Sequence, residues 1–182
     1  MYLNSLDIQI DYEQLLKEFT EILKPKAINN QLSLQARVDT PKDKQLTEGC
    51  GSLYFDWDAY DENTMDKVPK HDVELNEKDF VVAVDLIKNT YTEKLLYLLV
   101  KKYNIHRTRL MGMKSKAALS WHRDYSKRLH IPLVTSSDSF MVVEDTKIHI
   151  PYGKAHIVDT TLYHTAVNCG LKDRWHIVGC VS

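Results

Sequence analysis

Two periodicities divide this chain. Residues 11–24, DYEQLLKEFTEILK, place apolar side chains at Tyr12, Leu15, Leu16, Phe19, Ile22 and Leu23, the spacing of a helix buried along one face. Asp11 can cap its start, with Gln14 in the third helical position, and Pro25 follows its end. A second helical run, YTEKLLYLLVKKY, covers about 91–103. Thr90 and Glu93 make a capping-box pattern ahead of it, and Lys101 and Lys102 suit the negative end of its dipole. Both helices carry an apolar face without chemistry, so both are expected to pack on a sheet. Between them, residues 31–38 alternate as a strand does. Residues 40–80 are polar and turn-rich, with an aromatic knot at 54–60, YFDWDAY, that fits a lid over a mouth or a cluster beneath a long loop.

From 107 onward the period shortens. RTRLMGMK, AALSWHRD, KRLHIPLV, SFMVVED, TKIHIPY, KAHIVDT, HTAVNCG and DRWHIVGCVS follow one another as short strands with turn residues between them. Eight such strands in succession predict a barrel or jelly roll. The fold class expected is mainly β with N-terminal helices, in one domain spanning 1–182. Residues 1–106 would form a helical and mixed support layer, and 107–182 the β core.

Composition narrows this picture. A length of 182 residues suits a single domain with a substantial core, and 43% hydrophobic content is ordinary for a soluble one. A net charge of -1 gives no global pull toward nucleic acid or an anionic membrane. Acid-rich 56–80 and basic 101–116 read as solvated faces of opposite sign. Cys50, Cys169 and Cys180 do not pair evenly and lack a CxxC spacing, which fits reduced thiols in a cytoplasmic protein. No apolar run is long enough to span a membrane, and the N-terminus lacks the pattern of a signal peptide.

The chemistry gathers in the stretch SWHRDYSKRLHIPLVT. In a strand, side chains two apart share a face, so His122 and Asp124 present an imidazole and a carboxylate together. One more imidazole, from His130, His149, His156, His164 or His176, would complete a facial triad for Fe(II) with open positions. The pair alone is weak, because a chain of this composition yields about 0.7 His-x-Asp pairs by chance. Context strengthens it. If 168–172 form a hairpin loop, His164 lies opposite His176, and Arg174 shares its face on the diagonal. A buried arginine there calls for an anion, and its planar fork suits a carboxylate. Arg128 and His130, alternating on one strand, would add donors to that anion. Arg109 shares a face with Met111 and Met113 and offers a cation for a substrate carboxylate, although an exposed charge pair is the commoner fate of such a residue. Trp121 alternates away from His122 and is expected in the core.

SWHRDYSKRLHIPLVT followed by YHTAVNCGLKDRWHIVG resembles the aspartyl/asparaginyl β-hydroxylase family of 2-oxoglutarate-dependent oxygenases over roughly residues 107–182. The elements that carry the resemblance are His-x-Asp, the R-x-H-I-P-L strand, H-x-x-x-N, and an arginine ten residues past that histidine. The resemblance implies a double-stranded β-helix core with His122, Asp124 and His164 as Fe(II) ligands. It implies that Arg174 pairs with the distal carboxylate of 2-oxoglutarate, and that Arg128, His130 and Met113 lie at the cosubstrate. O2 would be consumed and 2-oxoglutarate decarboxylated to succinate while an unactivated C–H bond is hydroxylated. Vertebrate membrane-bound members lack the carboxylate ligand, whereas this chain has Asp124, as small bacterial-type members do. The substrate is not carried over from the resemblance; the favoured partner is a small-molecule amino acid or a peptide or protein substrate, with no membrane, and nucleic acid is not expected. A nucleobase oxygenase and a non-enzymatic cupin-like binding module are the competing readings.

Overall fold

The computed structural model describes residues 2–53, 55–60, 67–69 and 75–181. Asp11 accepts a hydrogen bond from the Gln14 amide at 3.0 Å and so starts α1 (Tyr12–Glu18). The helix expected to reach residue 24 instead widens into a π turn, Phe19–Leu23, and tightens into a 3-10 turn, Lys24–Lys26. Pro25 has no N–H to continue the ladder, so the α-helix cannot run through it. α2 (Tyr91–Tyr103) matches its expected limits, and Asn104 closes it in a left-handed conformation. Buried Glu18 ties the helices together. It accepts from the amides of Tyr91 and Thr92, both at 2.8 Å, at the positive end of α2.

Short strands occupy the N-terminal half: β1 (Leu3–Ser5), β2 (Gln31–Ser33), β3 (Gln35–Ala36), β4 (Phe55–Tyr60), β5 (Lys67–Pro69) and β6 (Val82–Ala83). β3 pairs with β6, and β4 with β5. The aromatic knot expected at 54–60 has its side chains outside the described residues. Eight further strands follow: β7 (Ile105–Met113), β8 (Ala117–Ala118), β9 (Lys127–Val134), β10 (Ser139–Val143), β11 (Thr146–Ile148), β12 (His156–Val158), β13 (His164–Asn168) and β14 (Arg174–Val181).

These eight strands divide between two facing sheets. The larger runs β1-β12-β9-β14-β7-β2 and the smaller β11-β10-β13-β8. This is a double-stranded β-helix, a jelly roll closed by antiparallel pairs. β1 and β2 occupy the two edges of the larger sheet, and 106 falls inside β7. The N-terminal segment therefore builds part of the sheet as well as supporting it. Among the described residues, no helix is long and apolar enough to cross a membrane.

Alternation along the central strands sets the direction of each side chain. Leu110 of β7, Leu129 and Ile131 of β9, and Trp175 and Ile177 of β14 point outward and pack with Leu15, Phe19, Leu23, Leu95 and Leu99 from the helices. The residues between them, among them Arg109, Arg128, His130 and Arg174, point the other way, into the space between the sheets. Both faces of β14 are buried, one apolar and one polar. Gly112 belongs to the outer face, where an added methyl would lie 2.7–2.8 Å from the Trp175 ring. Gly112→Ala is accordingly expected to lower stability by about 1–3 kcal/mol through overpacking. A urea unfolding curve with a lower midpoint and an unchanged slope would register that loss.

Candidate metal centre

The space between the sheets is a cavity of about 730 Å³. His164 opens β13 on its wall, and its backbone exchanges both hydrogen bonds with His122, at 3.0 and 2.9 Å. That isolated bridge replaces the regular strand expected through 117–124; only Ala117–Ala118 form a strand proper. Extended backbone still carries His122 and Asp124 to one side, helped by the Asp124 amide bonding the Thr160 carbonyl at 2.8 Å. The two imidazole rings stand 4.3 Å apart. Nitrogens from His122 and His164 and an oxygen from Asp124 all lie within 4.8 Å of one another.

Hydrogen bonding sets the tautomers. Nδ1 of His122 faces the Ser120 carbonyl at 2.7 Å, and Nδ1 of His164 faces the Leu162 carbonyl at 3.0 Å. A carbonyl can only accept, so each Nδ1 carries a proton, and in the neutral imidazole Nε2 is then the atom that offers a lone pair. Two imidazole nitrogens and one carboxylate oxygen form the donor set of a facial 2-His-1-carboxylate site, and these residues fit Fe(II).

A chain of buried ion pairs anchors the carboxylate. Arg128 donates from Nε to Asp124 Oδ2 at 3.0 Å and pairs through its other nitrogens with Glu77, at 2.8 and 3.0 Å. Glu77 also pairs with Arg107 at 3.1 Å and accepts from Ser126 Oγ at 2.7 Å. Burial works to raise the Glu77 pKa, but the Arg128 and Arg107 cations overcome it and bring it to about 2. Burial likewise opposes ionisation of Asp124, and Arg128 reverses that, leaving its pKa below the usual range. Local pattern offers no signal for Glu77. It sits in a short 3-10 turn, Glu77–Asp79, within the acid-rich segment read as a solvated face.

The structure revises several expectations. Arg128 lines the cavity, but its fork is engaged by Asp124 and Glu77 rather than open to an incoming anion. His164 and Arg174 are not cross-strand neighbours. β13 pairs with β10 and β8, β14 pairs with β7 and β9, and the two strands belong to opposite sheets. Asn168 holds the crossing, its amide nitrogen within 2.9–3.2 Å of the Met113, Lys114 and Lys172 carbonyls. Met113 belongs to the apolar cluster with Met141 and Val143, and Met111 is the β7 methionine on the cavity wall. Trp121, expected in the core, is half exposed on the cavity wall. Arg109, for which an exposed pair is the commoner fate, is buried and lines the cavity.

Arg174 lines the cavity as well, buried, with no ion pair among the described residues and its Nε without a hydrogen-bond partner there. Burial pulls its pKa down to about 10, so it remains a cation at neutral pH. His130 Nε2 is similarly buried without a partner among the described residues, and its Nδ1 stands 3.4 Å from Nδ1 of His176. Burial and the Arg174 cation hold both rings well below the ordinary histidine range, hence neutral.

A family model described as aspartyl/asparaginyl beta-hydroxylase matches residues 4–180. Among curated proteins none matches the chain. Among solved structures the chain is similar to a Cupin 2 conserved barrel domain protein from Salinispora arenicola, with 9% identity, 41% of this chain and 61% of that chain covered, and a TM-score of 0.35. A cupin domain from Bordetella pertussis gives 10%, 41% and 79%, with a TM-score of 0.36. An oxidoreductase of the 2OG-Fe(II) oxygenase family from Burkholderia pseudomallei gives 16%, 54% and 55%, with a TM-score of 0.39. The chain thus spans less than two thirds of the length of the first and third of these.

Proposed function

The chain belongs to the aspartyl/asparaginyl β-hydroxylase family, and we propose that it is an Fe(II)- and 2-oxoglutarate-dependent dioxygenase. Its substrate in this reading is a free amino acid or a peptidyl side chain, hydroxylated at an unactivated C–H bond. One observation carries the reading. The His122, Asp124 and His164 donors converge on the wall of a cavity that also holds Arg174, a buried cation without a carboxylate partner among the described residues.

Fe(II) with 2-oxoglutarate and O2 supplies the oxidising power for hydroxylation, with succinate and carbon dioxide as co-products. The chain's own residues bind, orient and exclude water. His122, Asp124 and His164 would hold the metal. Arg128 keeps Asp124 ionised and aimed, and Glu77 keeps Arg128 in place. Arg174 binds the distal carboxylate of 2-oxoglutarate, and neutral His130 donates to the cosubstrate. Burial strengthens each of these contacts, because little water competes for them.

Anaerobic Fe(II) titrated with 2-oxoglutarate tests the reading without a known substrate. A saturable visible charge-transfer band is expected from the wild-type protein. Folded protein with bound iron and no band would overturn the cosubstrate assignment. Arg174→Gln is expected to raise the 2-oxoglutarate concentration for half-saturation by roughly 10–100-fold, the loss of a charge-assisted, bidentate pair. Without ligand its unfolding midpoint should not fall, because the substitution removes a buried charge that has no counter-ion.

A further inference from the structure

His176 is not one of the three converging donors, which belong to His122, Asp124 and His164. It is buried on β14, two residues past Arg174 and so on the same face of the strand. β14 pairs Val178 with His130 of β9, which places His176 on the diagonal from His130. The two imidazoles meet edge to face, with ring centroids 5.6 Å apart and planes at 81°. Their Nδ1 atoms are 3.4 Å apart. Of the two rings, His130 is the one that lines the cavity.

That contact fixes a proton count. Burial and the Arg174 cation keep both rings neutral, and a neutral imidazole carries one N–H. Two facing lone pairs repel, as do two facing N–H groups. A single proton therefore lies between the Nδ1 atoms, and the rings hold opposite tautomers. In one arrangement His176 donates from Nδ1 and His130 keeps its proton on Nε2. In the other His130 donates from Nδ1 and its Nε2 is a bare acceptor. Nε2 of each ring is buried with no partner among the described residues. A buried N–H left unpaired costs about 1–3 kcal/mol, so the favoured arrangement is the one whose N–H finds an acceptor. An acceptor can arrive through the cavity, and His130 is the ring on its wall.

Resting on the dioxygenase reading, we propose that His176 is a positioning residue for the cosubstrate. Its Nδ1–H donates to His130 Nδ1 and holds His130 in the tautomer that presents Nε2–H to a carboxylate oxygen of 2-oxoglutarate. His176 touches neither metal nor cosubstrate in this role and acts through His130. Without a donor at its Nδ1, the His130 ring is free to take the other tautomer, whose bare Nε2 repels the carboxylate instead of binding it.

The test titrates 2-oxoglutarate into the anaerobic Fe(II) protein and follows the visible band in wild type, His176→Asn and His176→Leu. Asn and Leu have nearly the same shape, but only Asn carries an N–H near the place of Nδ1. His176→Leu is expected to raise the half-saturating concentration by about tenfold, the lower end of what one hydrogen bond to a charged group supplies. His176→Asn is expected to stay within about threefold of wild type. On a His130→Phe background His176→Leu is expected to add nothing, because the ring it acts through is gone. NMR of the wild-type protein with isotope-labelled histidine reads the tautomers directly, in the presence of 2-oxoglutarate and Zn(II) as a diamagnetic stand-in for Fe(II). The expected pattern is His130 protonated on Nε2 and His176 on Nδ1.

Equal losses in His176→Asn and His176→Leu, or a smaller loss in His176→Leu, would make the residue a space-filling group and overturn the proposal. So would an unchanged titration in His176→Leu, a further loss from His176→Leu on the His130→Phe background, or a wild-type His130 protonated on Nδ1. The NMR pattern needs no variant, so it decides the matter even where His176→Leu does not fold. Absence of the band in wild-type protein is a separate failure, that of the dioxygenase reading itself.

Discussion

Asp124→Ala is expected to cost more than about a hundredfold in Fe(II) affinity and to abolish hydroxylation, against the roughly 10–100-fold loss that follows removal of a group that only orients a ligand. Asp124 does more than orient, because it contributes one of the three donor atoms that lie within 4.8 Å of one another. Its removal also takes the carboxylate partner from Arg128 Nε, so a charged fork is left beside the two histidines. Like charge near an incoming cation adds to the loss of the donor. Competition against a chelating dye under anaerobic conditions would measure it. Wild-type affinity in the variant would remove Asp124 from the metal site. Arg128→Lys should produce a smaller loss through a mispositioned Asp124, since an ammonium cannot span Asp124 and Glu77 as the planar fork does.

The second large effect concerns stability. Glu77→Ala should destabilise the fold by about 3–5 kcal/mol, because it strips the shared carboxylate from two buried guanidiniums. Its dependence on pH has a definite sign. The folded pKa of Glu77 is about 2, below the ordinary value of 4.5. Such a group contributes stability that is fully present above pH 4.5 and is lost as pH falls toward 2. The difference corresponds to about 3 kcal/mol at neutral pH. Wild-type and Glu77→Ala unfolding free energies should therefore lie far apart at pH 7 and converge in acid. A constant gap over that range would show that the arginines do not hold the carboxylate ionised.

Much of the architecture is legible in order along the chain. The helix at 91–103 is bounded by its own caps, and the eight C-terminal strands are visible as short alternating runs between turns. His122 and Asp124 read as a pair because two-residue spacing survives in any extended segment, even where the backbone makes only an isolated bridge. The far end of α1 is harder to read, because Pro25 disturbs the ladder before the chain reaches it.

Which sheet a strand enters is another matter. A hairpin register between β13 and β14 is the simplest local assumption, yet the crossing held by Asn168 sends β14 into the other sheet. Glu77 is hidden for a similar reason. Its neighbours Asn76 and Lys78 are polar and exposed, and its partners Arg107 and Arg128 lie 30 and 51 residues away. Local pattern determined the second helix, most of the C-terminal strands and the His-x-Asp pair, since each depends on residues within a turn or two of one another. Only the tertiary structure decided that the polar side of the central strands is an interior, because a polar face becomes a buried site once a second sheet closes over it.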